Sequence, residues 1–278
     1  MEQAAEVPLM IKVVAVGLWI VVFLVWERLR PAAVPPAAPR AGEAAFGWRR
    51  IARNVTLFLI NSAISPLIVV PLSLWAASHS LGWRPDWWSG WQALLLDIVI
   101  MDLLIYAWHR ANHVVPFLWR FHEVHHLDRF LDVSSAVRFH WGEVILSAVF
   151  RMAFIIVLDI PIASVIVFET IVLLSAVFHH SNVKLPAKLE AALGKVFVTP
   201  AIHWVHHHAV RRDTDSNYGT LFSFWDPLFR SRSPNPRTAD MRIGVERRFE
   251  QDLPKLLLRP FQSEEARAVG PKSLPEQA

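Results

Sequence analysis

Long apolar runs alternate with polar segments along this chain. The runs occupy residues 9–26, 55–77, 93–108, 144–158 and 162–178. A helix of about 20 apolar residues spans the hydrocarbon core of a bilayer. With 54% hydrophobic and only 19% charged residues, the chain is predicted to be an all-α integral membrane protein. We expect a helical bundle with about four to six spanning or re-entrant helices.

Short interruptions define how the runs connect. Pro66 and Pro71 fall inside the second run and are expected to kink it or to split it into a helical hairpin. Only Asp159-Ile160-Pro161 separates the last two runs, which predicts a tight antiparallel hairpin. The first run has no small-residue cleavage site after it, so we interpret it as a retained helix.

The basic residues predict an orientation. The net charge is +4, and arginines cluster in residues 27–54, beside apolar runs. This placement follows the positive-inside rule and does not favour nucleic-acid binding. If the second run crosses once, the histidine-rich segments form a helical cap on the cytoplasmic side, and the N-terminus lies outside. The predicted location is a membrane, most consistent with a bacterial inner membrane.

Histidine is the residue type that carries the candidate chemistry. Twelve of the 13 histidines lie between residues 109 and 208, and the chain contains no cysteine. His109 and His113 are four residues apart, and the pattern H-x-x-H-H occurs at residues 122–126 and again at 203–207. Such spacings bring imidazoles together on a helix. Because buried imidazoles beside a bilayer are costly without a bound partner, the clusters predict metal binding.

The segment His122-Glu123-Val124-His125-His126 permits two interpretations. It matches H-E-x-x-H, in which a glutamate is the general base of a zinc protease, and it also matches H-x-x-H-H. A protease has no use for the second H-x-x-H-H, and the segment is too polar for a spanning helix. Since one zinc takes three or four protein ligands, the surplus of imidazoles favours two metal ions, and imidazole suits iron as well as zinc. Glu123 is then expected to be a helix-surface residue.

Taken in order, the motifs resemble those of the fatty acid hydroxylase / sterol desaturase superfamily. They read "DLLIYAWHRANH", "WRFHEVHH", "VRFHWGE", "FHHSN", "TPAIHWVHHH", "DSNYG" and "WDPLF", and they cover residues 95–230. The short spacing between the first two boxes is most similar to the bacterial sterol-desaturase-like and alkylglycerol-monooxygenase-like branch.

The resemblance implies a set of ligands and supporting residues. The implied metal ligands are His109, His113, His122, His125, His126, His180, His203, His206 and His207, with His179 and His140 less firmly placed. The implied supporting residues are Asp102, Glu143, Asn217 and Asp226. Asp102 could orient an imidazole or pair helices. Asn217 and Asp226, with Tyr218 and Trp225, resemble a clamp over the site. No catalytic residue is implied beyond the metal centre.

The implied activity is that of a membrane-bound, non-haem di-iron oxygenase. It would use O2 to hydroxylate or desaturate a lipid such as a fatty acyl chain, sterol, carotenoid or ether lipid. Electrons would come from an external donor, either ferredoxin-like or of the cytochrome b type. The alternatives are a metal-binding membrane protein of the same fold without turnover, and a zinc metalloprotease using His122, Glu123 and His126.

Three residues depart from the family motifs. Leu127, Trp141 and Arg230 replace a serine, a proline and a glycine of the family motifs. These departures affect the expected shape of the substrate rather than the expected binding of metal.

The sequence predicts three domains. Residues 1–54 are predicted as an N-terminal helix with an Ala/Pro-rich linker, residues 55–232 as the di-iron membrane domain, and residues 233–278 as a polar, partly mobile tail.

Overall fold

A computed structural model describes residues 2–37 and 44–268, with side chains from residue 14 onward. The described residues contain no β-strand, only three isolated bridges. The α-helices are α1 (Glu2–Leu29), α2 (Trp48–Ile64), α3 (Val70–Ser78), α4 (Gly90–Val114), α5 (Pro116–His126), α6 (Trp141–Leu158), α7 (Ile162–His180), α8 (Ala187–Leu193), α9 (Pro200–His206), α10 (Arg211–Thr214), α11 (Trp225–Leu228), α12 (Leu253–Leu258) and α13 (Glu264–Ala268). The predicted all-α class is confirmed.

Four helices among the described residues are long and apolar enough to cross a membrane. They are Trp48–Ser78, α4, α6 and α7. This number agrees with the lower end of the predicted range. The first apolar run falls in α1, whose side chains are described only from Val14 on, so its role as a further span stays a prediction.

The second apolar run is one continuous helix rather than a hairpin. A five-residue π-helical segment, Ser65–Val69, joins α2 to α3. Pro66 and Pro71 lie in the first turns of the segments that follow the two junctions. A π segment uses wider hydrogen-bonded turns, and these accommodate proline, which has no N–H to donate. A continuous helix of 31 residues is long enough to cross a membrane once, which is the case that the predicted orientation assumes.

The α6–α7 hairpin confirms the tight connection expected at Asp159-Ile160-Pro161. Asp159 ends α6 in the left-handed conformation (φ 54°), and Pro161 precedes the first residue of α7. The hairpin brings the start of α6 and the end of α7 to the same end of the bundle. The start of α2 and the end of α4 lie there as well.

Polar contacts fasten the end of the bundle opposite the histidines. Asp97, fully buried in α4, accepts hydrogen bonds from Arg84, the Trp88 indole and the Ser164 hydroxyl, at 2.6–3.0 Å. A buried carboxylate is stable when it is paired and hydrogen-bonded in this way. This contact network explains why an apolar run carries an aspartate.

The short helices form a cap over the histidine end. Arg50 of α2 binds Asp128 and Asp132 in the loop after α5, through contacts of 2.5 and 2.7 Å. Asn54 also donates to Asp128.

Since α2 begins at Trp48, the domain boundary predicted between residues 54 and 55 falls inside this helix.

The segment predicted as a polar tail contributes structure to the cap. Between residues 233 and 268 it forms α12, α13 and a 3₁₀ turn, Arg259–Phe261. Leu256 is fully buried against Leu57, Val124 and other apolar side chains. The last ten residues of the predicted tail, 269–278, lie outside the described residues.

Glu123 was predicted to lie on the helix surface, and this prediction is wrong. Its side chain is fully buried rather than on the helix surface, and it forms ion pairs with Arg259 at 2.9 Å and Arg267 at 3.2 Å. Both arginines belong to the C-terminal segment, 136 and 144 residues further along the chain. Glu123 therefore joins α5 to the C-terminal part of the cap.

Candidate metal centre

Four helix ends bring the predicted ligands together. His109 and His113 lie in the last turns of α4, His180 ends α7, and the two H-x-x-H-H segments end α5 and α9. All nine of these histidines except His109 are buried. All nine firmly predicted ligands meet in one region, which local helical spacing alone could not establish.

The nine histidines form two groups. Within each group, the candidate ligand atoms lie within 4.8 Å of one another. The first group is His109, His113, His122, His126 and His206, and the second is His125, His180, His203 and His207. Each group offers enough imidazoles to hold one metal ion.

Each H-x-x-H-H segment divides its histidines between the groups. His122 and His126 are one turn apart on one face of α5, whereas adjacent residues on a helix point about 100° apart. His125 therefore joins the other group. His206 and His207 separate in the same way, so the expectation that each segment presents its histidines on one face holds only for the i, i+4 pair.

Hydrogen bonds fix the tautomer of several rings. His109 Nδ1 lies 2.8 Å from the Tyr218 carbonyl oxygen, His125 Nδ1 lies 2.9 Å from that of Arg138, and His206 Nδ1 lies 2.6 Å from that of Ser216. His180 Nδ1 lies 2.8 Å from the Ala176 carbonyl. A carbonyl oxygen only accepts, so Nδ1 carries the proton and donates it. In a neutral ring, Nε2 then keeps its lone pair.

Two Nε2 atoms in the second group approach each other although neither carries a proton. The Nε2 atoms of His125 and His180 are 3.2 Å apart, although both rings donate through Nδ1. Two Nε2 lone pairs therefore face each other, which is repulsive unless a cation lies between them. His122 and His126 also approach through Nε2, at 3.2 Å. This donor chemistry fits a metal ion in each group.

Burial keeps the cap histidines neutral. It is the largest cause that lowers the pKa of each ring well below its usual value, and neighbouring imidazoles lower it further. The rings are His125, His126, His203, His206 and His207. Metals bind the neutral imidazole, so this environment prepares the rings as ligands at neutral pH.

Carboxylates orient two further ligands. Glu143 accepts a hydrogen bond from His122 Nδ1 at 2.7 Å. Asp215 lies 3.3 Å from His113 Nδ1. Sequence reasoning missed Asp215 because a single aspartate in a loop gives no spacing signal. Such carboxylate–histidine pairs fix the tautomer of a metal ligand and raise its basicity.

The two less firmly placed histidines lie outside both groups. His140 Nδ1 accepts from the Gly142 N–H, and its Nε2 donates to the Leu257 carbonyl, each at 3.0 Å. Both of its nitrogens are engaged, so His140 caps α6 instead of offering a lone pair. The centroid of the His179 ring lies 4.1 Å from that of the His203 ring. Of the two neighbouring histidines, however, it is His180 that contributes a candidate ligand atom to the second group.

Three predicted supporting residues contact loops rather than imidazoles. Asp102 accepts from the backbone N–H groups of Leu221 and Phe222 and from the Trp225 indole, at 2.8–3.1 Å. It therefore ties α4 to the loop of residues 217–226, and none of its hydrogen-bond partners among the described residues is an imidazole.

Asp226 and Asn217 hold the same loop from within. Asp226 accepts from the N–H groups of Tyr218 and Gly219. Asn217 takes a positive φ of 52° and donates to the Ile202 carbonyl. Because the carbonyls of Tyr218 and Ser216 orient His109 and His206, this loop positions ligands through its backbone.

A cavity of about 310 Å³ reaches the histidines from between the spanning helices. Its walls are largely apolar, with Trp108, Phe168 and Val172 among them. His109, His122, His125, His180 and His203 line its inner end. The cavity could therefore present an apolar chain to both histidine groups.

Comparison with known proteins confirms the resemblance. Residues 94–231 match the family model described as fatty acid hydroxylase. The chain is 26% identical to the ornithine lipid hydroxylase OlsE of Rhizobium tropici over 196 residues, which are 70% of this chain and 58% of that protein.

Two further relatives match over shorter stretches. Identity to the alkylglycerol monooxygenase of Caenorhabditis elegans is 29%, over 51% of this chain and 29% of that protein. Identity to the cholesterol 25-hydroxylase of Rattus norvegicus is 24%, over 65% of this chain and 61% of that protein. The matched part is less than two thirds of the length of each of these relatives. No solved structure matches the chain significantly.

Proposed function

Since residues 94–231 belong to the fatty acid hydroxylase family, we propose that this protein is a membrane-bound, non-haem di-iron oxygenase that hydroxylates a lipid. The observation that carries the proposal is the pair of buried imidazole groups, with facing Nε2 lone pairs, at the end of an apolar cavity. The named relatives act on an ornithine lipid, an alkylglycerol and cholesterol, which supports a lipid substrate.

Nine imidazoles would hold two irons, five ligands on one and four on the other. Iron held there would supply the O2-activating chemistry that oxidises an unactivated C–H bond. The chain's own residues bind and orient. Glu143 and the loop carbonyls keep the Nδ1 protons in place, and the apolar cavity walls exclude water from the reacting carbon.

The position of Glu123 argues against the protease. A general base in H-E-x-x-H must face the metal-bound water. The Glu123 carboxylate instead binds Arg259 and Arg267. The H-E-x-x-H match is therefore a coincidence of composition.

We place the histidine cap in the cytoplasm, where an external electron donor of the ferredoxin or cytochrome b type would reach it. The basic residues of segment 27–54 and the continuity of the helix Trp48–Ser78, which is long enough to cross once, support this orientation.

Lipid analysis of cells tests the proposed activity. Host cells producing the wild-type chain should contain a lipid that has gained one oxygen, and His206→Ala should abolish it. His208→Ala is the matched control, because His208 is adjacent in the chain but lies outside both histidine groups and is bonded to Asp213. Loss of two hydrogens instead would show a desaturase. An unchanged lipid pool, with metal present, would favour a metal-binding protein without turnover.

A further inference from the structure

The cavity contains a charged pair inside the membrane span. Arg151 is the eleventh of the 18 residues of α6, and Glu169 is the eighth of the 19 residues of α7. Both line the cavity. Ionisable side chains in spanning helices are costly and mark functional sites. An entirely alkyl ligand would have no use for them.

The pair is separated rather than tightly bonded. The closest approach is 3.6 Å, from Arg151 Nη2 to Glu169 Oε1, which is too long for a hydrogen bond. Arg151 Nη1 donates to Ser147 at 2.7 Å. Arg151 Nε is buried and has no hydrogen-bond partner among the described residues. The site therefore offers an unused donor beside a carboxylate acceptor.

The pair continues a polar row that begins at the metal centre. Glu143, Ser147 and Arg151 are four residues apart along α6, and all three line the cavity. Glu143 contacts His122. Eight residues of helix rise about 12 Å, so the charged pair lies about that far along the cavity from the level of Glu143.

We propose that Arg151 and Glu169 form a subsite for a hydroxyl group on the lipid. A hydroxyl both accepts and donates, so it can take a hydrogen bond from the Arg151 guanidinium and give one to the Glu169 carboxylate. The two opposite charges favour this neutral group over a carboxylate, which Glu169 would repel. The subsite sets which carbon along the lipid reaches the histidines. This inference rests on the proposed function for the nature of the ligand.

Binding without turnover tests the subsite separately from the activity. The metal-containing protein is held without O2 or reductant and titrated with hexadecan-1-ol, its methyl ether and palmitate. The ether accepts a hydrogen bond but donates none. The wild-type chain should bind the alcohol roughly tenfold more tightly than the ether, the effect of one lost hydrogen bond, and palmitate less tightly than the alcohol.

Glu169→Met should remove the preference for the alcohol, because the alcohol differs from the ether by the hydrogen bond that it donates to Glu169. The double variant Arg151→Met/Glu169→Met removes both charges, so it keeps the test valid if a lone arginine prevents folding. Val149→Ala, on the lipid-facing side of the same helix, is the control and should keep the preference. Equal binding of alcohol and ether, a preference that survives in the double variant, or tightest binding of palmitate would overturn the proposal. None of these results depends on oxygenation, so a failure of the proposed function would be seen separately.

Discussion

Replacing Glu123 tests whether this residue holds the cap together. Its carboxylate is fully buried among three arginines: Arg259 at 2.9 Å, Arg267 at 3.2 Å and Arg248 at 3.4 Å. Removing one partner of a buried ion pair costs about 3–5 kcal/mol, because the remaining charge is left uncompensated. We therefore expect Glu123→Ala to lower the free energy of unfolding by about that amount.

Denaturation in detergent, followed by tryptophan fluorescence, measures the loss. Glu265→Gln is the control, since this glutamate of α13 is exposed, and it should change stability by less than about 0.5 kcal/mol. The folded fraction of Glu123→Ala should keep its metal and its activity. An unchanged stability combined with complete loss of activity would refute the reasoning, because that is the behaviour of a catalytic base.

Three further predictions concern the metal site. Glu143→Gln should weaken metal binding by roughly 10–100-fold, measured by competition with a chelator, because His122 loses a charged acceptor; unchanged affinity would contradict this role. His140→Asn should leave the metal content unchanged, since asparagine can still cap α6. If elemental analysis showed that this variant loses a metal ion, His140 would have to be a metal ligand. The free energy of unfolding of the metal-free protein should decrease as the pH falls below about 6.5, the usual pKa of histidine. The reason is that the histidines of the unfolded chain bind protons there, whereas the buried rings of the folded chain stay neutral. An unfolding free energy that does not change between pH 7 and pH 5 would contradict this prediction. The rings whose lowered pKa supports this last prediction are His125, His126, His203, His206 and His207.

Features that repeat within one helix could be predicted from the sequence. Four of the five apolar runs coincide with the four candidate membrane spans among the described residues. The i, i+4 spacings at 109/113 and 122/126 placed these histidines correctly together. Hydrophobic period and helical spacing are local properties, so one segment suffices to read them.

Features that depend on distant partners could not be predicted. Glu123 looked exposed because its arginines lie in a segment without a helical pattern, more than 130 residues away. His140 matched a family motif, but its hydrogen bonds to Gly142 and Leu257 engage both nitrogens. Asp102 could have oriented an imidazole by its sequence position, yet it accepts hydrogen bonds from loop backbone and from the Trp225 indole.

The metal content of the purified protein tests the central claim most directly. Elemental analysis should find two irons per chain, because the nine imidazoles form two separate groups. His126→Ala removes a ligand of one group and His203→Ala a ligand of the other, so each should reduce the iron content while His208→Ala leaves it at two. One tightly held zinc per chain, unaffected by His203→Ala, would contradict the account.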